Sequence, residues 1–226
     1  MYADFFKRVI DLTASAVALL LLSPVLLILA LSGAICMKGN PFFVQPRPGK
    51  DERIFKLIKF RTMTNEKDEN GVLLPDEVRL TKYGKFLRAT SLDELPELFN
   101  IFIGDMAMVG PRPQLVRDMV FMSDEQRRRH TVRPGLTGYA QVNGRNNISW
   151  EQKLAYDIEY IDHGISFSND IKIVFQTIVK AIMRKDTIRE GTVSDLDFGD
   201  YLLRTGEISQ ETYNARQTEA KELLEV

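Results

Sequence analysis

Residues 12–37 read LTASAVALLLLSPVLLILALSGAICM, 26 positions without a charge. At the helical rise this is about 39 Å, longer than the roughly 30 Å hydrocarbon core of a bilayer. A secretory signal peptide fits poorly, because the stretch is too long and Asp11 interrupts its basic lead-in. Ser23-Pro24 sits near the middle, where proline removes a helical donor and predicts a kink. Basic residues lie on both sides: Lys7 and Arg8 before, then Lys38, Arg47 and Lys50 after. Cytoplasmic flanks favour positive charge, so a one-way span would leave one basic flank on the wrong face. A helix broken at Ser23-Pro24 that enters and leaves the same leaflet puts both flanks in the cytoplasm. On the residues alone, this re-entrant reading and a proline-kinked span both stand.

Beyond it, no second stretch could cross a bilayer. Pro41–Gln45 and Ile54–Phe60 are rich in β-branched and aromatic residues and read as strands, with Pro46-Arg47-Pro48-Gly49 as the turn between them. Thr81–Arg88 reads as one or two helical turns. Leu92–Ile103 is helix-like, with Leu95, Leu98, Phe99 and Phe102 at helical spacing and Gly104 as terminator. Short helices are also expected near Asp124–His130 and over Trp150–Asp162. Ile171–Lys185 is amphipathic, with Ile171, Val174, Phe175, Ile178, Val179 and Ile182 on one face. Its basic residues suit a helix lying on an anionic surface, and packing on the domain core is an equal reading. The pattern gives a mixed α/β fold, mainly helical with short strands. It divides into a membrane segment over 1–37, a domain over 38–185 that carries the candidate catalytic residues and interfacial amphipathic helices, and an acidic extension over 186–226. Short helices are expected within the extension near Tyr201–Leu203 and Ala215–Leu224.

Charge is uneven along the 226 residues. The extension carries 10 acidic and 4 basic residues, while residues 1–185 hold 26 basic and 21 acidic. A mildly basic body suits an anionic substrate or membrane surface, and falls well short of a nucleic-acid footprint. The lone Cys36 excludes an internal disulfide, and two histidines with one cysteine exclude an ordinary structural zinc site. No P-loop and no G-x-G-x-x-G is present.

The chemistry concentrates in Ser91-Leu92-Asp93-Glu94-Leu95-Pro96. Ser91 and Glu94 match a capping box, and Asp93 and Glu94 are expected at a helix N-terminus. There, amides and dipole would attract anions and keep a carboxylate ionised with a depressed pKa, able to hold Mg²⁺ or attack phosphorus. Two acids that merely cap the helix are the plain alternative. Candidate phosphate ligands surround the motif: Lys59 at a strand end, Arg88, Arg112 between Pro111 and Pro113, and Arg145 after the Asn143-Gly144 turn. The two prolines stiffen the backbone that aims the Arg112 fork.

In order, these motifs resemble the small monotopic phosphoglycosyl transferases of bacteria, the bacterial sugar transferase family. The likeness runs from about Phe5 to Lys185. It includes Lys7-Arg8-Val9-Ile10-Asp11, Ser23-Pro24, Gln45-Pro46-Arg47-Pro48-Gly49, Lys59-Phe60-Arg61-Thr62-Met63 and Arg88 through Pro96. Gly104-Asp105-Met106, Gly110-Pro111-Arg112-Pro113, Arg133 through Gly138 and Gln141-Val142-Asn143-Gly144-Arg145 complete it. The resemblance implies transfer of a sugar-1-phosphate from a UDP-sugar to polyprenyl phosphate, with Mg²⁺ and release of UMP, at the cytoplasmic face of the bacterial inner membrane. It implies a re-entrant helix broken at Ser23-Pro24. It makes Asp93 the nucleophile and a metal ligand, and Glu94 its partner. It makes Lys59, Arg88, Pro111, Arg112, Pro113, Gln141 and Arg145 substrate-binding.

Within the family the nearest likeness is to the member that starts protein N-glycan assembly. That points to a di-N-acetylated bacillosamine-type sugar, with N-acetylhexosamines or galactose as alternatives. Two other functions compete: a UDP-sugar glycosyltransferase, which would release UDP, and a non-catalytic scaffold that binds anionic lipid.

Overall fold

The computed structural model describes residues 2–144, 148–183 and 196–225. After a π-helical turn at Tyr2–Phe6, helix α1 runs unbroken from Lys7 to Cys36. The expected break at Pro24 is absent from its secondary structure. Pro24 cannot donate to the Leu20 carbonyl four residues back. The Ser23 hydroxyl donates there instead, at 2.8 Å, so the orphaned acceptor is satisfied.

This helix lies against the body of the protein along most of its length. Near its start, Arg8 donates to the Ile101 and Phe102 carbonyls at 2.6 and 2.9 Å, and Asp11 accepts from the Met108 amide at 3.0 Å. Further along, Ala18, Leu19 and Leu22 pack on the main core, formed by Phe55, Leu57, Leu98, Ile101 and Met106. Towards its end, Leu29 packs with Phe60 and Leu87, and the Tyr83 hydroxyl donates to the Leu29 carbonyl at 2.7 Å. The other face is bare: Leu20, Leu21 and Ile35 are each more than 70% exposed.

Next comes an antiparallel hairpin of β1 (Phe42–Pro48) and β2 (Ile54–Phe60), in register from Phe42 opposite Phe60 to Pro48 opposite Ile54. The strand thus absorbs Pro46 and Pro48, which the sequence reading placed in the turn. In a two-stranded sheet each strand is an edge, and an edge tolerates a missing donor. The reversal falls on residues 49–53. Helices α2 (Asp76–Arg79) and α3 (Lys82–Thr90) follow. A single 3₁₀ turn at Leu92–Glu94 then leads to α4 (Glu97–Ile103). Asn100 stitches α4 to β2: its side-chain amide donates to the Lys56 carbonyl at 2.8 Å and accepts from the Ile58 amide at 3.0 Å.

The middle of the chain holds β3 (Ala107–Val109), α5 (Val116–Met119), α6 (Asp124–Arg127), β4 (Gly135–Thr137), α7 (Tyr139–Val142), α8 (Trp150–Glu159) and α9 (Phe167–Met183). Strands β3 and β4 pair in parallel. The segments that extend them cross at glycines. A Cβ on Gly135 would lie 2.1 Å from the Gly110 nitrogen, and one on Gly138 would lie 2.1 Å from the Gly110 oxygen. Any side chain there would push the strands apart, and Arg112 with them.

Helix α9 departs from the expected single apolar face. The one apolar residue buried among its described side chains is Ile173, beside the buried Asp170, while Phe167, Ile171, Phe175 and Ile178 stay exposed as a stripe. Its N-terminal end is tied to the chain start, with Lys7 Nζ 2.5 Å from Asp170.

The acidic extension is docked. Helices α10 (Phe198–Thr205) and α11 (Gln210–Glu225) close the described chain. Phe198 and Leu202 pack with Met122, Trp150 and Leu154, and Ala220 with Val116, Met119 and Val120. Trp150 Nε1 donates to the Leu196 carbonyl at 3.0 Å, and Asp118 accepts from the Phe198 amide at 2.9 Å. Leu202→Ala is expected to destabilise the whole protein by about 2 kcal/mol, the scale of a buried leucine truncation. Denaturant unfolding checks it. An unchanged midpoint would mean that the extension opens before the body does.

Candidate active site

Ser91 makes the site possible. It sits in the left-handed region at φ 54°, ending α3 and turning the chain into the 3₁₀ turn that presents Asp93 and Glu94. Its side chain caps nothing, so the expected capping box is not formed. Pro96, not Ser91 or Asp93, stands at the N-cap of α4. The two acids therefore precede the helix rather than open it.

They line a cleft of about 1170 Å³ together with Lys59, Arg88, Arg112 and Gln141. Their environments differ sharply. Glu94 forms an ion pair with the Arg112 guanidinium and accepts from Lys59 Nζ at 3.0 Å. Burial raises its pKa, but Arg112 and Lys59 outweigh burial and hold the carboxyl far below the usual range. Asp93 makes no hydrogen bond or ion pair among the described residues. Burial, then the charge on Glu94, push its pKa up, against the pull of Lys59, Arg112 and Arg88. This reverses the expected depression of Asp93. The dipole argument required a helix start at Asp93, and the helix starts at Glu97.

The cations are shared out as unevenly. Lys59, on β2, also lies 3.0 Å from the buried Glu97. Burial disfavours its charge, yet Glu94 and Glu97 more than offset this and raise its pKa. Arg112 is likewise held charged, chiefly by Glu94. Arg88, on α3, donates from Nε to the Thr62 hydroxyl at 3.2 Å. Pro111 and Pro113 are buried and absent from the cleft lining. Their carbonyls serve the frame, accepting from the Gly135 amide at 2.9 Å and from Arg47 Nη1 at 3.1 Å. Arg145 lies outside the described residues.

Three contributors escaped the sequence reading as site residues. Arg129 is buried, donates from Nε and Nη2 to Asp157 at 3.0 and 2.7 Å, and donates to the Arg112 carbonyl at 2.6 Å. Asp157, on α8, is its counter-charge. Arg47 lines the cleft without a carboxylate within ion-pair distance among the described residues, its Nε buried and unpartnered. Burial, then repulsion from Arg112, take its pKa down to about 10. Nothing in the run Arg127-Arg128-Arg129 marks one arginine as buried. For Arg47, the proline on each side was the available signal, the same pattern that singled out Arg112.

Among the described residues no three histidine, cysteine or acidic side chains gather as a metal group. With Glu94 engaged by Arg112 and Lys59, Asp93 is the acid of the pair left to ligate a cation. A divalent ion that keeps waters and takes phosphate oxygens needs only one or two carboxylates, so this donor set fits Mg²⁺.

The family model described as bacterial sugar transferase matches residues 2–184. An uncharacterized sugar transferase, EpsL, of Bacillus subtilis is 48% identical over 78% of this chain and 87% of its own length. The exopolysaccharide production protein ExoY of Rhizobium meliloti is 38% identical over 76% of this chain and 83% of its own. The UDP-glucose:undecaprenyl-phosphate glucose-1-phosphate transferase of Klebsiella pneumoniae is 40% identical over 80% of this chain, which spans only 41% of that longer relative. All of the cleft residues named above fall within the family match, and on that match the chain belongs to the bacterial sugar transferase family.

Proposed function

We propose that the protein moves a sugar-1-phosphate from a UDP-sugar to undecaprenyl phosphate, releasing UMP. The observation that carries this reading is the asymmetry of the two acids: Glu94 is anchored by two cations, and Asp93 beside it is unpaired among the described residues. An Asp93 oxygen attacks the sugar-bearing phosphorus. The bond from that phosphorus to the bridging oxygen breaks, and UMP leaves with the electron pair. An oxygen of the polyprenyl phosphate then attacks the same phosphorus and returns Asp93 as a carboxylate. Splitting the exchange in two lowers each barrier. Arg112, Lys59 and Arg88 offset the negative charge that gathers as a carboxylate approaches a diphosphate. Glu94, strongly acidified, is a poor base. Its part is to hold Arg112 and Lys59 in position. Bound Mg²⁺ would add charge neutralisation on the diphosphate, with Asp93 as its protein ligand.

The lipid substrate requires a membrane seat on the face that holds the site. One helix is long and apolar enough to cross a bilayer, Lys7–Cys36. From Arg8 to Leu29 it covers roughly 32 Å at the helical rise, and the body grips it at both points. A crossing helix would carry its far end through the roughly 30 Å core, away from a domain on one side. The contacts therefore support a helix that dips into one leaflet, and the basic residues on both of its flanks favour the cytoplasmic side. The exposed apolar residues of α1, with Phe99 and Ile103 of α4 and the stripe on α9, supply an insertion surface.

Cysteines placed at Tyr2 and Lys50, in a Cys36-free background, are expected to label only from the cytoplasmic side. Periplasmic labelling at either position would establish a span. The function is tested by a donor panel with undecaprenyl phosphate and Mg²⁺, read as UMP. The panel includes UDP-glucose, UDP-galactose, UDP-N-acetylhexosamines and a bacillosamine-type donor. Release of UDP would favour the glycosyltransferase reading, and no nucleotide release the scaffold.

A further inference from the structure

The cationic part of the cleft accounts for phosphates. Its remaining polar wall has a different chemistry. Gln141, on α7, lines the cleft with both amide atoms, Oε1 and Nε2, out of solvent and without a hydrogen-bond partner among the described residues. Asp157 also lines it: Oδ2 takes both Arg129 donors, while Oδ1 is buried and unpartnered among the described residues. Buried polar atoms in folded proteins nearly always have partners, and these three orphans on residues lining one cleft call for a cause. Internal packing does not supply one. The Gln141 oxygen would lie 2.7 Å from a Cβ at Gly138, so the amide is seated against bare backbone with its polar end unanswered.

We infer that Gln141 and the free oxygen of Asp157 form the subsite for the neutral, hydroxyl- or imide-bearing half of the donor. This rests on the UDP-sugar reading above. Two acceptor oxygens and one amide NH₂ group with two N–H donors demand a ligand group with both donors and acceptors. Phosphate offers only acceptors and would be repelled by Asp157. Hydroxyls of a sugar ring, and the ribose diol or uracil edge of the nucleoside, offer both. A carboxylate oxygen accepting from a ribose hydroxyl is a familiar arrangement in nucleotide sites. The assignment holds for either orientation of the Gln141 amide, because neither end has a partner to fix it.

The orphaned state gives the test its sign. In the ligand-free protein the Gln141 amide contributes no hydrogen bond, so an apolar replacement of similar size removes only unsatisfied groups. Gln141→Leu is expected to leave the thermal unfolding midpoint unchanged or higher. It is also expected to weaken equilibrium binding of UDP-glucose by about tenfold, equivalent to about 1.4 kcal/mol. Gln141→Met, unbranched like glutamine, repeats the measurement should leucine fit poorly. UMP separates the two halves of the donor. If UMP binding weakens in parallel, the subsite reads the nucleoside. If UMP binding is unchanged while UDP-glucose weakens, it reads the sugar. Unchanged affinity for both probes, or a midpoint lowered alike in both variants, overturns the inference. Binding is read without turnover, so a wild-type protein that binds UDP-glucose but releases no UMP would refute the proposed reaction separately.

Discussion

Asp93→Asn is expected to abolish turnover, by on the order of 10³-fold or more, and with it any covalent capture of sugar-phosphate. Wild-type protein given radiolabelled UDP-sugar and Mg²⁺, without lipid, should release UMP in a burst near one per enzyme. It should retain label in a bond that hydroxylamine cleaves. The asparagine variant should do neither, because an amide is a poor nucleophile. Glu94→Gln keeps the side chain's length but loosens Arg112 and Lys59, and should slow labelling without ending it. The reaction also carries a pH signature. Attack requires ionised Asp93, whose pKa is raised by burial and by Glu94. Labelling should therefore be complete above that raised value and fail as pH falls through it, at a less acidic pH than for an ordinary aspartate. Normal labelling of the asparagine variant, or UMP release only when lipid is present, would replace the two-step scheme with direct transfer.

The second large effect lies off the reacting atoms. Asp157→Asn should destabilise the fold by about 3–5 kcal/mol, because it strands a buried guanidinium without its counter-charge. Arg129 is 2% exposed and has no other carboxylate at ion-pair distance among the described residues. Denaturant unfolding measures the loss. The paired replacement Asp157→Leu with Arg129→Met should recover much of the stability, since it removes both charges together. It should not recover activity, because the Arg112 carbonyl loses the donor that orients its loop. A single variant within about 1 kcal/mol of wild type would mean that water reaches Arg129 and that the pair is not the pin described.

How far the residues alone foretold this molecule varied with the range of the interactions. The β1–β2 hairpin and helices α3, α8 and α9 follow from local periodicity, and their places were legible. Much of what failed depended on partners distant in sequence. Pro46 and Pro48 look like turn residues until the edge position of β1 makes them harmless. Ile173 looks no different from Ile171, and only the packing of α9 on the body separates buried from bare. The run Leu92–Ile103 has one helical period throughout, but Ser91 in the left-handed region and Pro96 at the cap delay the helix to Glu97. That delay changed the electrostatics of the site, moving the depressed pKa from both acids to Glu94 alone. Lys59, Arg88, Asp93, Glu94, Arg112 and Gln141 do meet on one cleft, as their motifs suggested. Arg129 and Asp157 carried no mark, because a buried pair 28 positions apart looks in sequence like two surface charges.

The docked extension has a consequence for how this chain can vary over evolutionary time. Trp150 and Leu154 of α8 face the extension, and Asp157, one turn on, holds Arg129 beneath the Arg112 loop. Drift at the seam is thus felt at the catalytic loop. Selection should tolerate change across the outward faces of α10 and α11, while Phe198, Leu202 and Ala220 change only together with the body residues they cover. A lineage that sheds the extension would have to recolour Met122, Trp150 and Leu154 with polar residues, or acquire another segment to cover them. Aligned homologues with and without the extension should therefore split at these three body positions, while Asp93, Glu94 and Arg112 stay alike in both groups.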